Sequence, residues 1–169
     1  MRTCIEVEAN CKAILAENGY TRPGNWTMDD YKKLNPTHRL YAYEVKFPFW
    51  DGNESVRRPY LDWATNDALS WYQAYNQTKH DRHVQFKEAN FQNLLEAVAG
   101  LVVLLSSQFH THDFLPLSVL VGDRPDQYDV AIGDYFLVKF PKDWPAQDRY
   151  SFNWENVKND ADPFQSLQF

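Results

Sequence analysis

The chain has 169 residues, 44% of them hydrophobic and 24% charged, with a formal net charge of −6. This length fits one domain spanning 1–169. The apolar share is enough to offset the entropy of ordering a core, which excludes disorder as the main state. Two cysteines exclude a disulfide scaffold. The acidic balance excludes a protein held on DNA by bulk positive charge but leaves room for a local basic patch. The departure from ordinary composition is aromatic content, 16%.

Residues 2–18 read as a helix. Cys4, Val7, Cys11, Ile14 and Leu15 recur at three- and four-residue spacing, and Gly19 stands at the expected stop. The pattern is in register from residue 2, as in a helix that starts further upstream. Two turns of helix hold Cys4 and Cys11 about 10 Å apart, too far to bridge, so they read as reduced, buried thiols. The first eight residues carry acids early and no apolar core, so no secretory signal is read. A cytoplasmic location is the expectation.

After a turn-rich loop at 20–26, Thr27 is placed to cap a short helix carrying Met28, Tyr31 and Leu34. Residues 39–49 alternate. Tyr41, Tyr43, Val45, Phe47 and Phe49 share one face of a predicted strand, with Glu44 and Lys46 on the other. Trp50-Asp51-Gly52-Asn53 turns the chain, and 53–60 read as an irregular basic link. Residues 62–79 read as a second helix with Asp62 as its cap and Ala64, Ala68, Trp71, Tyr72 and Tyr75 as its stripe.

Residues 87–109 read as a third, central helix. Apolar residues wrap nearly all of it, leaving Gln92, Glu96, Gly100 and Ser107 as a polar or small stripe. Gly100 would admit a close neighbour. The longest nearly apolar stretch, Leu94–Leu105, is interrupted by Glu96. It is shorter than the roughly 20 residues a bilayer needs, so no membrane is expected. Short strands follow at 117–121 and 135–141, around an acidic turn region with Asp123, Asp126, Asp129 and Asp134. Val-Lys-Phe-Pro occurs at 45–48 and again at 138–141. Each copy ends a predicted strand at a proline that cannot donate to the ladder, so the two read as strands of one sheet. Residues 142–169 read as an extended tail whose aromatics dock on the body.

The fold expected is therefore α+β: a helical core with a central apolar hairpin (2–18, 62–79, 87–109), a small antiparallel sheet (39–49, 117–121, 135–141) and an extended C-terminal tail.

Chemistry is expected at two helix ends. Lys79, His80, Arg82 and His83 gather positive or titratable groups at a helix C-terminus, where the dipole favours cations. Such a knot suits a phosphate or carboxylate. A histidine there could serve as general base, with Arg82 or Lys79 steadying developing charge and Asn76 orienting His80. The competing reading is a helix cap in which Lys79 and His80 satisfy loose carbonyls. At the other end of the central helix stands His110-Thr111-His112-Asp113. A rod of about 33 Å separates the two ends, so their histidines cannot share a metal in one subunit. Arg57, Arg58 and Asp62 are expected beside His110, and those arginines oppose a cation, so neither a metal nor a cofactor is expected. Glu96 is either a buried carboxylate with a raised pKa or one that finds solvent or a cation.

Tyr75-Asn76-x-x-Lys79-His80, closing one helix before a long apolar one, resembles the core hairpin of HEPN-type helical domains. The resemblance spans roughly residues 62–109. It implies either a prokaryotic interaction module for RNA, another phosphate-bearing ligand or protein, or a metal-independent RNase of a defence or toxin–antitoxin system. The family's catalytic signature is an Arg followed by a His after four to six residues. No Arg here has a His at that spacing, and Arg82 and His83 are adjacent. The leading expectation is a non-catalytic module with an anion- or RNA-binding spot at 76–83, comprising Asn76, Lys79, His80, Arg82 and His83. An RNase using His80, Arg82 and His83, and a purely structural or homodimeric protein, are the alternatives.

Overall fold

The computed structural model describes residues 1–50, 54–109, 127–131 and 135–144. In chain order these form α1 (Arg2–Glu17), α2 (Met28–Tyr31), α3 (Leu34–His38), β1 (Glu44–Lys46), β2 (Val56–Arg57), α4 (Ser70–His80), α5 (Phe91–Phe109), β3 (Asp129–Ala131) and β4 (Phe136–Lys139). Single 3-10 turns lie at Leu40–Ala42, Leu61–Ala64 and Phe86–Glu88. The fold is α+β, as the sequence predicts.

α5 is the axis. Its apolar circumference is met by α1, by α4 and by strands β1 and β4. Ala97, Ala99, Val102, Val103 and Leu104 are buried there. By length and composition alone α5 could cross a membrane, but these contacts already cover much of its apolar surface. α1 meets it with Cys4, Val7, Cys11, Ile14 and Leu15, the residues its spacing predicts. Both cysteines are free and buried, and burial pushes the Cys11 thiol up to about 12. The α1 layer is tied to α4 by the Tyr72 hydroxyl, which donates to Glu8 at 2.7 Å.

Gly100 forms a close seam. A side chain there would stand 3.2 Å from the Trp71 ring and 3.4 Å from the Tyr60 hydroxyl. Both neighbours are fixed: the Tyr60 hydroxyl donates to the Gly100 carbonyl at 3.1 Å and Trp71 Nε1 to the Pro59 carbonyl at 2.8 Å. The missing Cβ thus lets an indole from α4 and a phenol from the preceding turn lie on the central helix.

The sheet is antiparallel with strand order β2-β1-β4-β3. The two Val-Lys-Phe-Pro copies are neighbours in it, with Val45 directly opposite Val138, both fully buried. Residues facing across adjacent strands share a side, so the register sorts the two faces. The outer face carries Glu44 opposite Lys139, with Tyr128 just before β3 and Arg58 just after β2 converging on the same acid. The Tyr128 hydroxyl donates to Glu44 at 2.6 Å, while Arg58 and Lys139 flank the same carboxylate. On the inner face Arg57 takes the place beside Val45 and Val138. It is buried, and it reaches Glu96 of α5 at 3.2 Å and Glu54 at 3.0 Å.

Several expected boundaries move. The strand expected over 39–49 shrinks to three residues, because Arg39 adopts a left-handed conformation (φ 52°) and Leu40–Ala42 winds as a 3-10 turn. Phe49, expected to share the buried face, is 81% exposed. The helix expected over 62–79 begins at Ser70. Asn66 turns left-handed (φ 66°) and the Asp67 N–H donates to the Asp62 carbonyl at 2.9 Å, so Asp62 closes a turn rather than capping α4, and Ala64 and Ala68 are exposed. The third helix starts at Phe91, where Asn90 Oδ1 accepts the Asn93 N–H at 2.9 Å. Two strands stand where irregular chain was read: β2 in the basic link and β3 in the acidic turn region. The strand expected at 117–121 and the tail from 145 onward lie outside the described residues. Of the tail's aromatics, Trp144 is buried against the Tyr43 and His38 rings.

Two outcomes follow from this packing. Gly100→Val forces a branched side chain against the anchored Trp71 and lowers stability by about 1–3 kcal/mol, read as a drop in urea midpoint at unchanged slope. His38 is buried, and desolvation lowers its pKa from 6.5 to about 4. The unfolded chain therefore binds a proton that the fold refuses, and stability falls as pH drops from about 6.5 towards about 4. A urea series across this range should show the fall, and His38→Gln should shrink it.

Candidate functional site

The last turn of α4 and the loop after it place the basic cluster. α4 ends where the Asp81 N–H donates to the Gln77 carbonyl at 2.9 Å. Asp81 then folds the loop around itself: its carbonyl accepts the Gln85 N–H at 2.9 Å and its carboxylate the Val84 N–H at 3.3 Å. Thr78 is buried and returns its hydroxyl to the Ala74 carbonyl. Backbone and Asp81 thus do the structural work of this junction. Lys79, His80, Arg82 and His83 are all exposed around it.

Among the described residues none of these four side chains forms a hydrogen bond or a salt bridge. The cap reading, with Lys79 and His80 bonded to loose carbonyls, is not the arrangement found. Lys79 Nζ instead lies 5.3 Å from the centre of the Tyr75 ring. Asn76 is half-buried one turn earlier, and no bond joins it to His80. The expected cluster is therefore brought together at one corner, but as a solvated set of basic and titratable side chains rather than an aligned acid–base pair. Exposed apolar side chains continue the corner: Val84 (65%), Phe86 (63%) and Phe91 (57%), the last stacked on Trp50 at 5.7 Å.

A cavity of about 370 Å³ opens beside the corner, between the start of α1, α4, the Phe86–Glu88 turn and the first half of α5. Trp71, Ala74, Tyr75 and Ala97 form its apolar wall; Thr78, Glu88, Asn90 and Asn93 supply polar groups. Tyr75 belongs to both features, since its ring lines the cavity and carries the Lys79 ammonium. Sequence reading missed this cavity. The Asn90 Oδ1 bond to the Asn93 N–H caps the start of α5, and packing places that capped end beside the start of α1.

The second expected site fares differently. His110, Thr111, His112 and Asp113 lie outside the described residues. Their expected neighbours do not gather at that end of α5: Arg57 binds Glu96, roughly three and a half turns before Phe109. Arg58 binds Glu44, and Asp62 sits in the Leu61–Ala64 turn. The register of β2 decides this by turning Arg57 inward onto the middle of the helix. Burial raises the Glu96 pKa, and the Arg57 guanidinium opposes that rise. Among the described residues no group of three or more His, Cys, Asp or Glu is gathered as a metal site.

If the corner cations are unspent, removing them leaves the fold intact. The variant Lys79→Ala/His80→Ala/Arg82→Ala/His83→Ala should unfold within about 0.5 kcal/mol per site of the native chain, measured by thermal and urea denaturation. A loss of several kcal/mol would return the cluster to a capping role. No protein-family model, no curated protein and no solved structure matches this chain.

Proposed function

We propose that the protein is a non-catalytic interaction module that takes a phosphate-bearing partner, single-stranded RNA, at the helix junction 76–83. The observation that carries this reading is the set of four exposed, unspent basic or titratable side chains on one corner of a chain whose net charge is −6. Elsewhere the basic residues Arg22, Arg57, Arg58 and Lys139 are engaged with carboxylates. Only a locally concentrated charge attracts an anion to an acidic molecule, by proximity rather than bulk field. Exposed Phe86 and Phe91 add π-faces on which successive bases stack without sequence preference.

The HEPN-like reading of the hairpin is supported by the Tyr75-Asn76-x-x-Lys79-His80 motif and by the packing of α4 on α5. It suits a binding module of a prokaryotic regulatory or defence system. Cleavage is not part of the proposal. A general base needs a fixed geometry towards the proton it takes, and His80 and His83 have no orienting partner among the described residues.

Fluorescence anisotropy with a labelled single-stranded RNA tests this reading. Binding should weaken with salt at a log–log slope of about 0.7 per phosphate engaged, hence about 2 for three contacts. Lys79→Ala/Arg82→Ala should weaken binding at least tenfold and flatten that slope, and the RNA should remain full length. Salt-independent binding, or equal binding by native and variant protein, overturns the proposal.

A further inference from the structure

We infer that the cavity between α1, α4 and α5 is a binding site for a small, uncharged aromatic molecule of two or three fused rings. The space exists because each of these helices turns a small, buried side chain to it: Cys4, Ala74 and Ala97. In a core packed largely with tyrosine, tryptophan and branched aliphatic side chains, those three positions leave about 370 Å³ open. An apolar cavity of about 150 Å³ holds one benzene ring, and pockets for small molecules start at about 300 Å³.

The wall sets the shape of the guest. The buried rings of Trp71 and Tyr75 both line the space, and Trp71 is held in place by its bond to the Pro59 carbonyl at 2.8 Å. An aromatic guest stacks on such rings or meets them edge-on. The polar side chains of the lining are largely spent on the backbone. Thr78 returns its hydroxyl to the Ala74 carbonyl at 2.8 Å. Asn90 Oδ1 accepts the Asn93 N–H at 2.9 Å, and Asn93 Nδ2 donates to the Glu88 carbonyl at 2.8 Å. The Glu88 carboxylate lies 4.0 Å from the ammonium of exposed Lys87. Thr3 and Tyr75 keep hydroxyls that make no bond among the described residues, enough for one polar group on the guest. Among the described residues no lysine or arginine lines the space. An anion entering it would therefore lose hydration without a counter-charge, whereas a neutral ring loses nothing that the walls do not replace.

The test uses one ring body with and without a charge. 2-Naphthol and 2-naphthoate are titrated against the full chain by calorimetry. 2-Naphthol should bind at a single site, at least tenfold tighter than 2-naphthoate. Ala97→Leu fills the space from α5 and should abolish that binding, with the melting temperature unchanged or raised. Ala74→Leu fills it from α4 and should do the same, so the result does not hang on one variant folding well. Lys79→Ala/Arg82→Ala should leave the affinity for 2-naphthol within twofold of the native value, which separates the fate of this pocket from that of the RNA reading at the corner. No binding of 2-naphthol at millimolar concentration, equal affinity for the two compounds, or binding that survives a folded Ala97→Leu or Ala74→Leu variant overturns the inference.

Discussion

The structure depends on covering one helix. α5 is apolar on nearly every side, and leaving it in water would forgo the largest block of hydrophobic stabilisation the chain has. Three layers are needed to surround such a cylinder: α1, α4 and the sheet. One close contact among these runs through Gly100. The absence of a side chain brings Trp71 near enough for the Tyr60–Trp63–Trp71 aromatic group to pack as a solid block. Much of the aromatic excess is spent in this way, with Tyr31, Tyr43, Tyr60, Trp63, Trp71, Tyr72 and Tyr75 all buried.

The small sheet illustrates how register distributes charge. With strands of two to four residues, each position faces either the core or water. Glu44 faces outward and becomes the centre of a set of compensating partners, which, despite burial, holds its carboxyl below the usual carboxylate range. Arg57 faces inward, and its buried guanidinium is shared between Glu54 of its own segment and Glu96 of α5. The one acid on the middle of α5 is thereby explained as the answer to a charge on the neighbouring layer. Such a pair contributes less to net stability than to fixing where β2 sits on the helix, since both groups lose hydration.

The basic corner stands outside both constraints. Its backbone is closed by Asp81 and Thr78, so none of the four basic or titratable side chains around it is needed as a cap. The cavity next to it combines an aromatic wall with a small number of polar groups, and Tyr75 belongs to both features.

Periodicity in the chain was sufficient for the three long helices, for the central position of 87–109 and for the close approach at Gly100, because each follows from local spacing and side-chain volume. The repeated Val-Lys-Phe-Pro was likewise enough to place two strands in one sheet. The clustering of Lys79, His80, Arg82 and His83 was legible for the simplest reason, adjacency along the chain. What only tertiary structure decided was every feature set by partners distant in sequence. β2 and β3 are too short to carry a pattern and exist as strands because β1 and β4 supply their bonds. The start of α4 was fixed by left-handed Asn66 and its turn, against a sequence stripe that continued through it. The position of Arg57 beside Glu96 rather than at the far end of α5 was fixed by strand register, and the cavity by the angle at which α1 and α4 meet α5. Local spacing determines which face of an element is apolar; which neighbour that face meets is a property of the whole packed chain.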